Sequence, residues 1–95
     1  MPMQADPEIR ENRLKRMAMR SWRRGTKEMD LILGPYADVH LGGMDAAALD
    51  HFDALLEEND QDLYPWITGA TPAPDHFSGL LALITEYSLS RKRGF

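Results

Sequence analysis

The chain has 95 residues, 43% of them hydrophobic and 27% charged, with a formal net charge of −4 and no cysteine. This length and composition fit one globular domain with a small core and do not fit a disordered chain. The lack of cysteine excludes disulfides, thiolate metal sites and cysteine nucleophiles. No apolar run approaches the roughly 20 residues that a membrane-spanning helix needs.

The charges are unevenly distributed along the chain. Residues 1–30 contain eight Lys/Arg and five Asp/Glu, whereas residues 31–90 contain ten Asp/Glu and no Lys or Arg. The last five residues add three further cations. An asymmetry of this kind usually concerns partners or electrostatic steering more than the fold. We therefore expect the acidic segment to be a solvated scaffold.

Two helices are predicted in the first 40 residues. Asp6 as N-cap and Pro7 start the first helix, and Gly25 ends it. Arg23 and Arg24 fall in its last turn, where cations suit the helix dipole. Thr26 caps a second helix, which Pro35 should kink or end. The inward stripe of the first helix is predicted to be Ile9, Leu14, Met17, Ala18 and Trp22.

Three further helices are predicted after a loop at residues 41–44. Asp45 caps the third helix, whose apolar positions follow the i, i+3, i+4 rule. Asp62 caps a short fourth helix, which places Pro65 in its first turn, and Gly69 ends it. Asp75 caps the fifth. The expected fold is a compact all-α, five-helix bundle in one domain, residues 1–95, with an ordered core at about 7–90 and frayed termini that include residues 91–95.

Catalytic and metal-binding chemistry is not indicated. The histidines His40, His51 and His76 are widely spaced, and we expect His51 to be a solvated surface residue. The acidic run at residues 57–62 lacks the glycine and the distal glutamate of a calcium loop. No glycine-rich phosphate loop is present. We predict no catalytic residue, no metal site and no tightly bound cofactor.

The basic first helix raises three readings that the residues alone leave open. It could bind nucleic acid, but the chain is acidic, with a pI of about 5.2. It could lie on a membrane surface, or it could pack on the other helices. Met17, Met19 and Met29 around the first interhelical turn fit core filling better than an adaptable interface, although both remain possible.

The densest group of functional candidates lies at the corner between the first two helices. Arg23, Arg24, Gly25, Glu28 and Asp30 combine two cations, a residue without a side chain and two carboxylates. Glycine allows the backbone of a partner to approach closely, and the charged groups offer charge-assisted contacts. Helix termination and capping explain the same residues equally well.

The segment Arg24-Gly25-Thr26-Lys27-Glu28 resembles the RGxxE signature of the SdhE-type flavinators, the small assembly factors of succinate dehydrogenase. Arg23 and Asp30 flank it, and Pro35-Tyr36 follows. A second block, from Leu55-Leu56-Glu57 through Asp60 and Asp62 to Leu63 and Trp66, is also similar to the family. The resemblance covers about residues 10–90, but Pro65 and the Gly42-Gly43 pair are not characteristic of it.

The resemblance implies an assembly factor that binds the flavoprotein subunit of succinate dehydrogenase, and of fumarate reductase as a further candidate, and promotes covalent attachment of FAD to a histidine of that subunit. Arg24, Gly25 and Glu28 would form the contact surface, with Arg23 and Asp30 beside them. The factor itself would be a monomer that performs no chemistry. A nucleic-acid-binding or antitoxin-like regulatory module is the alternative, and a structural bundle for another oxidoreductase subunit is a third.

The expected compartment rests on the N-terminal residues. Asp6, Glu8 and Glu11, together with the lack of an apolar signal core, argue against a secretory or transit peptide. The sequence therefore predicts a bacterial cytoplasmic protein, with a mature mitochondrial protein as the second reading.

Overall fold

The computed structural model describes residues 7–93, and within them it confirms the all-α, five-helix prediction. The helices are α1 (Pro7–Trp22), α2 (Lys27–His40), α3 (Ala46–Leu56), α4 (Asp60–Thr68) and α5 (Asp75–Arg93). A single 3-10 turn, Leu41–Gly43, stands where the sequence predicted a loop. The predicted cap Asp6 lies outside the described residues.

Local capping signals set several helix ends as predicted. The Thr26 hydroxyl accepts a hydrogen bond from the Met29 amide, and the Asp45 carboxylate accepts one from the Ala48 amide at 2.8 Å. Gly69 ends α4 with a φ of +87°, a left-handed conformation that glycine adopts at little cost. These ends depend on residues close in sequence, so pattern reading locates them.

Pro35 does not end α2, and Pro65 does not lie in the first turn of its helix. α2 continues through Pro35 to His40, and α4 begins at Asp60 with Asn59 at the N-cap position, so Asp62 is not the cap. Pro65 therefore lies past the first turn of α4, where its missing N–H removes one helical hydrogen bond. In α2 the residues from Leu33 to Ala37 are all buried, and this packing offsets the lost bond.

The start of α5 also differs from the prediction. Asp75 is the first helical residue and not its cap, since the Phe77 amide bonds to the Pro74 carbonyl at 3.0 Å. The helix continues to Arg93, the last residue that the structure describes. No glycine or proline interrupts residues 80–93, and cations in the last turn suit the helix dipole.

The core is built from the apolar stripes of all five helices. From α1, Met17 is buried in the core, and the partly buried Leu14 and Ala18 pack against the core beside it. Ile9 and Trp22, which were predicted to face inward, are exposed. The other buried apolar residues are Met29, Leu33, Tyr36, Ala37, Leu41, Leu49, Phe52, Leu55, Leu56, Leu63, Phe77, Leu81 and Ile84. The corner between α1 and α2 is thus anchored from both sides, by Met17 and Met29.

Candidate functional site

The predicted motif forms the exposed loop that joins α1 to α2. Gly25 has a φ of +106°, a conformation that residues with a side chain rarely adopt. A Cβ atom added there would meet no atom within 4 Å, so the outer side of the loop is open. The backbone therefore requires glycine at this position, and its exposed position leaves the main chain accessible.

Arg24 turns away from the solvent and joins the loop to α3 and α4. Its Nε donates to Asp60 Oδ1 at 2.9 Å, and its two terminal nitrogens donate to the carbonyls of Leu56 and Glu58 at 2.7 and 2.6 Å. The Arg24 side chain is only 10% exposed and that of Asp60 19%. The guanidinium thus satisfies carbonyls that the C-terminus of α3 leaves without helical partners. α1 itself ends at Trp22, so Arg24 stabilises the end of α3 and not the end of its own helix.

Asp30 secures the same loop from the other side. Its Oδ1 accepts a hydrogen bond from the Arg24 backbone amide at 2.6 Å, and its own amide donates to the Thr26 carbonyl at 3.0 Å. The loop is therefore held at both ends by charge-assisted or backbone bonds. Arg24 and Asp30 act as positioning residues, while Gly25 is presented outward.

Arg23 and Glu28 are exposed, on two different sides of the loop. Arg23 borders a shallow groove of about 430 Å³ beside Arg16 and Met19 of α1. Glu28 borders a larger, mainly apolar groove of about 570 Å³ between α2, α4 and α5, where Leu31 and Tyr64 are also exposed. The structure brings the five predicted residues into one corner, and three of them, Arg23, Gly25 and Glu28, are available to a partner.

Two arginines of α1 form ion pairs with the acidic face of α3. Arg13 pairs with Asp50 and Asp53 at 2.7 and 3.3 Å, and Arg20 pairs with Asp53 and Glu57 at 2.7 and 2.6 Å. The hydrogen bond from Arg20 holds the pKa of Asp53 below its ordinary value, against the opposing effect of partial burial, and Arg13 acts in the same direction. The charge asymmetry therefore concerns the fold as well as partners, which corrects the sequence-based expectation.

The histidines contribute to packing. His51 is half-buried and not a solvated residue as predicted, because its ring stacks on Phe77 with centroids 5.5 Å apart and its Nε2 lies 2.5 Å from the His76 carbonyl oxygen. The His40 ring packs against the rings of Tyr36 and Tyr87, which also contact each other. Among the side chains that the structure describes, residues 9–91, no group of three or more His, Asp or Glu is arranged to hold a metal ion.

A close contact between α1 and α2 was not foreseen. The Trp22 ring lies directly over Gly34, where an added Cβ would fall within 2.7 Å of three ring atoms. The indole Nε1 also donates to Asp38 Oδ2 at 3.1 Å. The helical spacing of Trp22 predicted an inward position in α1, but nothing local indicated which glycine would receive the ring.

The role of Asp60 as the partner of Arg24 was also missed. The sequence placed Asp60 in an acidic turn, and 36 residues separate it from Arg24. The seven-residue spacing of Arg13 and Arg20, and the spacing of Asp50, Asp53 and Glu57, mark two charged helix faces. That signal shows that each face exists but not that the two faces meet.

The fold and this corner define a small helical protein with a fixed, exposed turn, an arrangement typical of a binding surface. A family model described as the flavinator of succinate dehydrogenase matches residues 15–88. The chain belongs to this family. Within residues 7–93, no helix is both long and apolar enough to cross a membrane.

The curated relatives carry the name mitochondrial succinate dehydrogenase assembly factor 2. The chain is 38% identical to the Meyerozyma guilliermondii protein over 80% of this chain and 58% of that one. It is 34% identical to the Debaryomyces hansenii protein, over 97% and 68% of the two chains, and 41% identical to the Mycosarcoma maydis protein, over 73% and 29%. The chain thus spans about 58% and 29% of the length of two of these relatives.

The compartment expected from the sequence is contradicted by these relatives. They are fungal proteins named as mitochondrial, whereas the N-terminal composition led us to expect a bacterial cytoplasm. That expectation rested on the absence of a targeting pattern in the first residues, and such an absence does not report where a protein works.

Proposed function

We propose that this chain binds the flavoprotein subunit of succinate dehydrogenase and promotes covalent attachment of FAD to it. Membership of the flavinator family supports this function, and the exposed Gly25 loop supports the choice of docking surface. The flavoprotein subunit of fumarate reductase is proposed as a second partner. The chain is an assembly factor that acts as a monomer and holds no cofactor of its own.

The docking surface consists of Gly25 with the exposed Arg23 and Glu28. Because Gly25 lacks a side chain and its outer side is open, the partner's backbone approaches the loop closely. Arg23 and Glu28 place opposite charges on either side of this contact. Arg24 and Asp30 hold the loop in shape, so that the surface is ordered before the partner arrives and less entropy is lost on docking.

The mechanism requires no reacting group on this chain. The factor would hold the partner so that its flavin and the histidine that receives it are correctly oriented. Orientation of two reacting groups contributes roughly 7–11 kcal/mol in well-arranged cases. The histidines of the described residues pack against aromatic rings, which agrees with a role confined to positioning.

Gly25 variants test this assignment. Gly25→Ala and Gly25→Arg both have to adopt the positive φ, and neither meets another atom near its Cβ, so we expect similar strain of about 1–2 kcal/mol. Only the arginine adds bulk that blocks a partner. We expect Gly25→Arg to lower covalent flavinylation far more than Gly25→Ala, measured as flavin fluorescence of the flavoprotein in a denaturing gel.

Gly79→Arg is the matched control for bulk and charge. Gly79 lies exposed on α5, has no atom within 4 Å of an added Cβ, and does not have a positive φ. This variant should support full flavinylation. If Gly25→Arg also supported full flavinylation at equal protein levels, the loop would not be the docking surface.

A further inference from the structure

The outer face of α1 carries a charged groove next to the Gly25 loop. Arg16, Met19 and Arg23 line it, together with the inner walls Arg20 and Arg24, and it encloses about 430 Å³. We call Arg16, Met19 and Arg23 the outer strip. Met19 is 50% exposed at its centre, whereas Met17 and Met29, the other methionines of this region, are buried.

The arginines of this groove fall into two groups. Arg20 is balanced by Asp53 and Glu57, and Arg24 is balanced by Asp60. Arg16 and Arg23 are exposed and form no ion pair with any side chain that the structure describes, residues 9–91. The groove therefore has an excess positive charge that comes from the outer strip alone.

We propose that the outer strip docks an acidic surface of a partner protein, with carboxylates at Arg16 and Arg23 and an apolar side chain over Met19. This proposal rests on the proposed function, since Arg23 belongs to both surfaces and makes the outer strip continuous with the Gly25 loop. The partner is the same flavoprotein subunit. The outer strip would form a second part of the interface with this subunit, and it would contact acidic and apolar side chains there.

A protein fits the outer strip better than a nucleic acid. An apolar, adaptable methionine between two cations is typical of protein interfaces, where methionine and arginine are enriched. A nucleic-acid site binds chiefly by neutralising phosphates with unpaired Lys and Arg, but the Arg13, Arg20 and Arg24 charges of this region are already paired within the chain. The exposed Glu57 beside Arg20 would also repel a phosphate backbone.

The test measures association of the flavoprotein subunit, before flavinylation, with charge-reversal variants. Arg16→Glu reverses a charge of the outer strip, and Arg91→Glu is the matched control on α5, where the exposed Arg91 lies outside this groove. At about 50 mM salt we expect Arg16→Glu to slow association on the order of tenfold, and at about 300 mM by about twofold. Arg91→Glu should change the rate by less than about twofold.

A second variant separates protein from nucleic acid. Met19→Ser should speed dissociation of the flavoprotein about threefold without changing its salt dependence, because it removes apolar contact and no charge. A labelled DNA duplex should not bind the unchanged chain at physiological salt.

Each other outcome has a definite meaning. If the unchanged chain binds the flavoprotein and Arg16→Glu behaves like Arg91→Glu, this inference is wrong and the proposed function stands. If the unchanged chain binds DNA and not the flavoprotein, the proposed function and this inference both fall.

Discussion

The two adjacent arginines of the motif should differ sharply in their effect on stability. Arg24 makes three side-chain hydrogen bonds of 2.6–2.9 Å to Asp60, Leu56 and Glu58, whereas Arg23 is exposed and forms none with the described residues. Arg24→Ala removes the same number of atoms as Arg23→Ala. The pair therefore isolates the contribution of the bonds from that of the arginine side chain itself.

The expected loss follows from the geometry of Arg24. Hydrogen bonds to a charged group contribute about 1.5–3 kcal/mol each, but bonds that share one guanidinium do not add, and Asp60 keeps some contact with water. We expect Arg24→Ala to lower the free energy of unfolding by about 3 kcal/mol. The Arg24→Lys variant, which keeps the charge but not the planar fork, should lose about 1–2 kcal/mol.

Urea unfolding followed by helical circular dichroism measures these differences. A loss of about 3 kcal/mol lowers the urea midpoint by about 2 M at an m-value of about 1.5 kcal/mol/M. It lowers the melting temperature by about 12–24 °C for a domain of this size. Arg23→Ala should stay within about 0.5 kcal/mol of the unchanged chain. Equal stability of the two alanine variants would refute the assignment of Arg24 as the residue that joins the loop to α3 and α4.

Two further predictions concern α2 and the α1–α3 ion pairs. Gly34→Ala should destabilise the protein by about 1–2 kcal/mol and shift tryptophan emission to the red, because the new Cβ displaces the Trp22 ring. At an exposed helix position the same substitution would stabilise the helix. A more stable variant with unchanged emission would therefore contradict the contact between Trp22 and Gly34. In the folded state the pKa of Asp53 is lowered, chiefly by the hydrogen bond from Arg20. The ion pairs of Asp53 therefore stabilise the fold at pH values above its unfolded pKa of about 3.9. This contribution is lost as the pH falls through the folded pKa. Asp53→Asn should therefore unfold more readily at neutral pH and lose less stability than the unchanged chain between about pH 5 and pH 2, in urea titrations at several pH values. A parallel loss of stability in both proteins would show that Asp53 does not titrate as the structure indicates.

Several features of this protein follow from residues close together in the sequence. The caps of Thr26 and Asp45 and the end of α4 at Gly69 depend on backbone dihedral preferences and on hydrogen bonds that span three or four residues. The all-α fold class likewise follows from local patterns of residues. The need for glycine at position 25 is local too, because it follows from the φ of that one residue.

Tertiary structure decided which motif residues are available to a partner. The sequence of Arg23 and Arg24 offers two equivalent cations, and only the position of α3 and α4, more than 30 residues away, turns one inward and leaves the other in solvent. The course of α2 through Pro35 was decided in the same way, by burial that outweighs a local preference. Contacts between residues this far apart in the sequence depend on which helix faces pack against each other. Helix periodicity defines the apolar and charged faces of each helix, but it does not determine which other helix packs against them.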